Sequence, residues 1–388
     1  MTGKAVASLI ATRAVYAINW LNIGAIYYLM EVDLKGGGPS GLGLLTSSFY
    51  VGIGLMQLPG GILAAKWGPK KVVTIGIMLC SLSALTVAFT TFLLEAAVLR
   101  FLVGAGMALI FSPSIVIAAK YFGQHRSGIN VGLFNSAFGV GGIFGILGWA
   151  VLASVTGWRP SVLLSGTLGV ITGILVLIFV KDERGQNFRV DPKNLMRIIK
   201  DRSLIILGIA TLSISAGNTV VAAFMEYYLH TSLGAAIPVA SFIPTLVVIM
   251  PIFSSLAGGR LYDRMKKPRL LMIISCLGTA GALLICAVPN LVAATAGTII
   301  EGTIFGLGLT TAFASAKDLN KEPGDYDTLA ISWVNSLSLV GNFLPPLIFS
   351  YLAVSINYSA AWIGGAGIVV LFLIPLFFMT EGVRGKKF

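Results

Sequence analysis

Charge is what this sequence has least of. Aspartate, glutamate, lysine and arginine make up 11% of its 388 residues, less than half the roughly 25% of an ordinary soluble protein. With 56% of the chain hydrophobic, there is too little polar surface for a soluble domain of this length, and the sequence reads as a membrane protein. Cysteine is also scarce: Cys80, Cys276 and Cys286 all fall inside apolar runs. An odd, buried set argues against a disulfide framework or a metal site. No Walker phosphate loop is present, which excludes an ATP-driven pump, and no His-Glu-x-x-His, which excludes a membrane metalloprotease of that type. No enzyme, cofactor or metal is expected. The formal net charge of +12 raises nucleic acid as a partner. The basic residues, however, sit in short loops between apolar runs and form no single patch, so membrane topology explains them and nucleic-acid binding does not.

The long apolar runs are the main content. A helix that crosses a bilayer needs roughly 20 apolar residues. Twelve stretches qualify: 6–30, 42–65, 72–91, 95–118, 127–153, 160–180, 204–230, 236–259, 270–288, 291–316, 328–354 and 358–380. The first follows Lys4 and is too long for a signal-peptide core, so it is read as a retained span. Two connections are longer than the rest. One, 31–41, has a Lys-Gly-Gly-Gly-Pro-Ser centre expected to be flexible. The other, 181–203, is densely charged and divides the chain into an N-terminal bundle, 1–180, and a C-terminal bundle, 204–388. Within that linker Leu195, Ile198 and Ile199 recur at helical spacing, which predicts a short amphipathic helix on the membrane surface.

Twelve spans put both termini on one side. If that side is the cytoplasm, 23 of the 27 lysines and arginines fall in or beside cytoplasmic segments. Lys35 and Arg159 fall outside, and Arg13 and Arg100 fall within spans. The positive-inside bias therefore expects a multi-pass protein of the cell (inner) membrane with cytoplasmic termini.

The halves repeat. Gly60-Gly61-Ile62-Leu63 and its basic tail recur as Gly258-Gly259-Arg260-Leu261, 198 residues on. Tyr27-Tyr28-Leu29 recurs as Tyr227-Tyr228-Leu229, and Asn135-Ser136 as Asn335-Ser336, both 200 on. Gly104-x-Gly106 recurs as Gly306-x-Gly308, 202 on. Two six-span copies in the same orientation imply a pseudo-twofold axis along the membrane normal and a site near the midplane.

These residues carry a resemblance to the major facilitator superfamily of secondary transporters. Its loop motif, Gly-x-x-x-Asp-Arg-x-Gly-Arg-Arg in outline, is matched by Gly259, Asp263, Arg264 and Lys267. In the first half Gly61, Lys66, Gly68, Lys70 and Lys71 match, but Ala65 stands at the acidic position. Arg100 and Gly104 match the fourth-helix Arg-x-x-x-Gly, the fifth helix is glycine-rich from Gly139 to Gly148, and Gly157-Trp158-Arg159 precedes the sixth span. The resemblance implies an all-α membrane protein whose twelve transmembrane helices form two six-helix bundles, working by alternating access. It also implies that the two motif-bearing loops gate the cytoplasmic end. Asp263 is expected to face the start of span 5 near Ser127 and Gly128, giving a latch that is weaker on the Ala65 side.

Four ionisable residues lie deep in spans: Arg13, Arg100, Glu226 and Glu301. Each costs about 2.5–3.5 kcal/mol on insertion scales, so each calls for a wet cavity or a partner. Helical phase puts Tyr16 and Trp20 on the side of Arg13, with Asn19 and Asn218 at the borders of their faces. The expected substrate contacts are Arg13, Tyr16, Asn19, Trp20, Arg100, Asn218 and Glu301, with Glu301 and Glu226 as proton carriers. Plain structural roles stand beside these: Arg100 holding spans together through backbone carbonyls, Arg13 snorkelling to the surface, Glu226 as an interfacial or gating residue. The leading expectation is a monomeric secondary transporter of a small organic anion, with protons coupled or exchanged. A proton-driven exporter of lipophilic cations and a non-transporting membrane receptor are the alternatives.

Overall fold

The computed structural model describes residues 2–122, 137–181, 192–319 and 327–379. Twelve helices in it are long and apolar enough to cross a membrane. They are α1 (Thr2–Asp33), α2 (Gly41–Trp67), α3 (Pro69–Val87), α4 (Leu93–Phe122), α5 (Ala137–Thr156), α6 (Trp158–Phe179), α7 (Arg202–Thr231), α8 (Ile237–Met265), α9 (Pro268–Cys286), α10 (Leu291–Leu319), α11 (Leu329–Ser355) and α12 (Tyr358–Phe378). The expected number is met, and the all-helical membrane fold with it. Among boundaries inside the described residues the largest shift is at α8, which continues through Met265, so Asp263 and Arg264 sit on the last helical turn and not in a loop.

By packing, the described chain forms two compact units. The first comprises Met1–Arg189 with Glu226–Thr245, and the second Val190–Met225 with Leu246–Phe388. In the first unit, Gly104 and Gly106 let α4 seat two neighbours. A Cβ on Gly104 would run into the carbonyl of Phe49 on α2, and one on Gly106 would lie 2.5 Å from the backbone nitrogen of Cys80 on α3. Gly52 answers Gly104 from the other side, with no room against Phe101. In the second unit the same roles recur 202 residues on. Gly306 lies against Pro251 and Ser254 of α8, and Gly308 against Ser275 of α9. The repeat in the sequence is therefore a repeated way of packing helices, with small residues allowing backbones to approach.

This packing makes a testable contrast. Gly104→Ala places a methyl where backbone already stands, and overpacking of that kind costs about 1–3 kcal/mol. We expect a clear fall in thermal stability in detergent and poor membrane yield. Gly61→Ala, where nothing lies within 4 Å of the added Cβ, leaves both unchanged.

The rim at which α1 ends is tied down. The 31–41 connection, expected to be flexible, is pinned: the Lys35 N–H donates to the Thr91 carbonyl (2.8 Å), the Leu93 N–H to that of Lys35 (3.0 Å), and the Tyr27 hydroxyl to that of Gly38 (2.6 Å). Its glycines supply the left-handed backbone at Gly36 and Gly38 (φ 76° and 132°), so they serve turn geometry. Beside it, Asp33 accepts from Trp158 Nε1 (2.9 Å) and pairs with Arg159 (2.6 Å), whose other nitrogen donates to the Thr90 carbonyl (2.9 Å). The Gly-Trp-Arg motif thus clasps α6 to α1 and to the α3–α4 turn.

In the first unit α2 turns into α3 through Gly68 (φ 91°), and in the second α8 turns into α9 through Lys266 (φ 48°), 198 positions on (266 − 68). A left-handed residue is needed at both turns, and only the first is glycine. Gly68→Ala forces a β-carbon into that region at about 1 kcal/mol, and we expect a drop in melting temperature of a few degrees.

The linker helix, Pro192–Lys200, forms as expected, but its apolar side docks on protein. Ile198 is 2% exposed and belongs to a cluster with Leu204, Leu207, Leu319, Val334 and Leu376 in the second unit. The helix is too short to be stable alone, and the ends of its neighbours offered the apolar seat that was assigned to lipid.

Candidate functional site

In the first unit, α1 carries a polar and aromatic face. The Arg13 guanidinium is buried among rings, 4.7 Å from Tyr16, 5.0 Å from Phe111 and 4.6 Å from Phe138. Cation–π contacts of this kind stabilise a cation most where water is excluded. Two turns on from Arg13, the Trp20 ring packs against Tyr16 (5.6 Å), Phe49 (5.0 Å) and Phe138 (6.1 Å), and its Nε1 donates to the Tyr50 hydroxyl (3.3 Å). Arg13, Tyr16 and Trp20 thus come together as helical phase predicted. Arg13 does not snorkel. The rings of Phe49, Tyr50, Phe111 and Phe138 come from other helices, and their spacing in the sequence gave no sign of this meeting.

Arg100 on α4 is 4% exposed. Its Nη1 donates to the backbone carbonyl of Asn19 (2.9 Å), and its plane lies over the Phe49 ring (4.7 Å). Nε has no hydrogen-bond partner, and no carboxylate lies within ion-pair distance among the described residues. The structural role expected of Arg100 is therefore present, since the guanidinium ties α4 to α1. One face of the charge still lacks a counter-ion. Asn19 itself turns elsewhere. Its Nδ2 is shared between the carbonyls of Val15 (3.1 Å) and Ser165 (3.3 Å), and Asn22 reaches the Ser165 hydroxyl (3.3 Å). The asparagines seam α1 to α6: Asn19, expected at the border of the face, turns its amide nitrogen toward α6, while its Oδ1 has no partner. A one-residue difference in phase sends a side chain about 100° round a helix.

Glu226 is placed with the first unit. It is 2% exposed, its Oε1 accepts from the Ser241 hydroxyl (2.7 Å), and its Oε2 has no partner. Around it, Glu31 accepts from the Tyr227 hydroxyl (2.7 Å), Tyr27 meets Tyr227 (6.0 Å between rings), and Tyr28 meets His230 (4.9 Å). The repeated Tyr-Tyr pairs thus meet each other at the rim where α1 ends. Glu31, which closes this cluster, was missed because it stands at the last turn of α1, where an acid reads as the start of a loop.

In the second unit Glu301 is fully buried. Asn218 Nδ2 donates to its Oε2 (3.2 Å), which joins two residues predicted from different helices. Its Oε1 has no partner and lies 3.6 Å from where a Cβ on Gly217 would stand. Thr279 crowds the same glycine, and its own hydroxyl has no partner. The carboxyl is thus enclosed by α7, α9 and α10, so a direct substrate contact is not part of this arrangement. The half-buried Asn218 stands beside it.

The loop motifs divide unevenly. The close contacts belong to Gly60, against Ala108 and Leu109, and Gly258, against Leu307, while Gly61 and Gly259 lie in open or ordinary space. Close helix approach is thus made by Gly60 and Gly258, one residue before the motif glycines Gly61 and Gly259. Lys66 and Arg264 are exposed, Lys70 is half-buried in the first turn of α3, and Gly68 makes the turn. Asp263 is exposed and pairs with Lys266 (3.3 Å), which also reaches Asp318 (3.4 Å), and Tyr262 donates to Asp318 (2.9 Å). Partial burial alone would pull the Lys266 ammonium down, but the hydrogen bonds and charges of Asp263 and Asp318 outweigh it and the net shift is upward. The expected partners of Asp263, Ser127 and Gly128, lie outside the described residues, as do Asn135, Ser136 and the side chain of Ala65.

Comparison with known proteins bears on the whole chain. A profile described as Major Facilitator Superfamily matches twice, over residues 9–212 and 207–388. A probable sulfoacetate transporter of Cupriavidus necator is 24% identical, over 92% of this chain and 90% of that one. A hexuronate transporter of Bacillus subtilis is 22% identical, over 89% and 87%. Among solved structures, the nucleoside transporter NupG superposes with a TM-score of 0.81 at 14% identity, covering 98% of this chain and all of that one. A D-xylose–proton symporter superposes with a TM-score of 0.79 at 14% identity, covering 99% of each. At that identity the two structures speak to the fold alone.

Proposed function

The chain belongs to the major facilitator superfamily, and from that premise we propose that it moves a small organic anion by alternating access, in symport or exchange with protons. That it is a membrane transporter of small solutes and not an enzyme follows from the family and its relatives. The anion is our reading. It rests chiefly on Arg100, a buried cation in a membrane-spanning helix with no carboxylate facing it among the described residues. A buried charge without a counter-charge is strongly unfavourable, and an anionic substrate supplies one. On the neighbouring helix α1, Arg13, Tyr16 and Trp20 add a second cation and an aromatic surface. The names of two relatives, for sulfoacetate and hexuronate, agree in charge class.

In this reading Glu301 carries the proton, and Asn218, half-buried beside it, connects the carboxyl to substrate. Glu226 belongs to a gate at the α1-terminal rim, which we assign to the outside, with cytoplasmic termini in the inner membrane. The moving bodies are the bundles 1–180 and 204–388, and one copy of the chain suffices. The test is uptake into proteoliposomes from a panel of carboxylates, sulfonates, sugars and lipophilic cations, with and without a pH gradient. Accumulation of a carboxylate or sulfonate supports the proposal. Transport of the cations alone, where Glu226 and Glu301 would be the binding acids, overturns it, as does binding without flux.

A further inference from the structure

α11 is interrupted halfway. One helix runs Asp327–Gly341 and the next Leu344–Ser355, with Asn342 and Phe343 in a turn between them. Within the span Leu329–Ser355, Asn342 is thirteen residues from either end (342 − 329 and 355 − 342). The break is therefore at the middle of the apolar layer. Its cause is Pro345-Pro346. Neither proline has an N–H, so the carbonyls of Gly341 and Asn342, four residues earlier, lose their helical donors. The Asn342 N–H closes a tighter turn onto Leu339 (3.3 Å). The Asn342 side chain is 2% exposed, and its Oδ1 has no hydrogen-bond partner. Beside the turn, Gly341 faces the apolar side chain of Leu212, which offers no donor.

Three acceptor oxygens on two successive residues thus stand at the break: the carbonyls of Gly341 and Asn342, which face prolines four residues on, and the unpartnered Asn342 Oδ1. Unsatisfied backbone groups at that depth cost several kcal/mol each. Neutral carbonyl oxygens without a carboxylate suit a singly charged ion, whereas calcium and magnesium call for anionic ligands. We propose that the break in α11 binds a small monovalent metal cation through these three oxygens. The proposal stands apart from the roles given to Arg100 and Glu301, and it adds an alkali cation to the ions that act on transport.

The test uses purified full-length protein in detergent, with sodium or potassium chloride against choline chloride at equal ionic strength. A cation that binds the folded form raises its apparent stability, so we expect a saturable rise in melting temperature with an alkali ion and none with choline. Asn342→Leu, which keeps the volume and removes the oxygen, loses the rise while unfolding normally in choline. Glu301→Gln keeps it. If Asn342→Leu does not fold, Asn342→Ser, which withdraws the ligand, must raise the half-saturating concentration by about tenfold. Equal melting in alkali and choline salts overturns the proposal, as does a shift that survives loss of the Asn342 oxygen. A shift removed by Glu301→Gln also overturns it, because the ion is then at the carboxyl.

Discussion

Arg100→Met removes most anion uptake and leaves a folded, membrane-inserted protein. Methionine fills a similar volume over the Phe49 ring, so the packing of α4 on α1 and α2 persists. What disappears is the bond to the Asn19 carbonyl, 2.9 Å from Nη1, and the charge. The carbonyl belongs to a continuous helix and retains its helical donor, so the structural loss is about 1 kcal/mol. The loss toward an anion is larger: truncating one partner of a buried charged pair costs about 2–5 kcal/mol, or at least about thirtyfold in affinity. Arg100→Lys separates the two roles further. A lysine carries the charge as a point and has no planar fork to serve a backbone carbonyl and an anion together, so we expect intermediate uptake with a raised half-saturating concentration. The measurement is initial uptake into proteoliposomes, normalised to protein recovered by gel filtration. Wild-type rates for Arg100→Met would remove the guanidinium from substrate binding and leave it as a clamp between helices.

The twelve spans were legible because a bilayer imposes one length and one composition on every helix that crosses it, and both are written locally. The repeat was legible for a related reason. Gly104 and Gly106 are held to glycine by the backbones of α2 and α3, Gly306 by the backbone of Pro251 and the Ser254 side chain, and Gly308 by the side chains of Ile214 and Ser275, so the pattern appears in both halves. Less was legible where a residue's meaning depends on another helix. Asn19 was assigned by phase to a border and fell on the α6 side, where Ser165 takes its amide. Gly61 was chosen over Gly60 from a motif, yet only the neighbour's position says which of two adjacent glycines is in contact. The interruption of α11 is half visible in the sequence: Pro345-Pro346 removes two helical donors, but the buried, unpartnered oxygen of Asn342 needed coordinates. The cage around Arg13 draws Phe111 and Phe138 from helices whose register relative to α1 no local pattern records.

Glu301→Gln abolishes the dependence of transport on the pH gradient. The carboxyl is wholly buried and receives one hydrogen bond, from Asn218, while its other oxygen has none. An ionised carboxylate so poorly solvated is costly, and in the mechanism proposed above gain and loss of a proton there shifts the balance between conformations. Glutamine has the shape of the protonated acid and cannot give the proton up. Its carbonyl still accepts from Asn218, so the join between α7 and α10 survives and the fold is retained. Two readouts follow. Concentrative uptake driven by an inward proton gradient vanishes, while exchange of substrate for substrate, which needs no net proton movement, continues at a measurable rate. Asn218→Leu gives a second comparison, because it leaves the acid in place while removing its hydrogen bond and the proposed link from carboxyl to substrate. That variant keeps coupling and moves the pH at which uptake is half-maximal. Should Glu301→Gln still concentrate substrate against its gradient on a proton force, the proton is carried elsewhere. Glu226 would then be the group to change next, since its Oε2 is also buried without a partner.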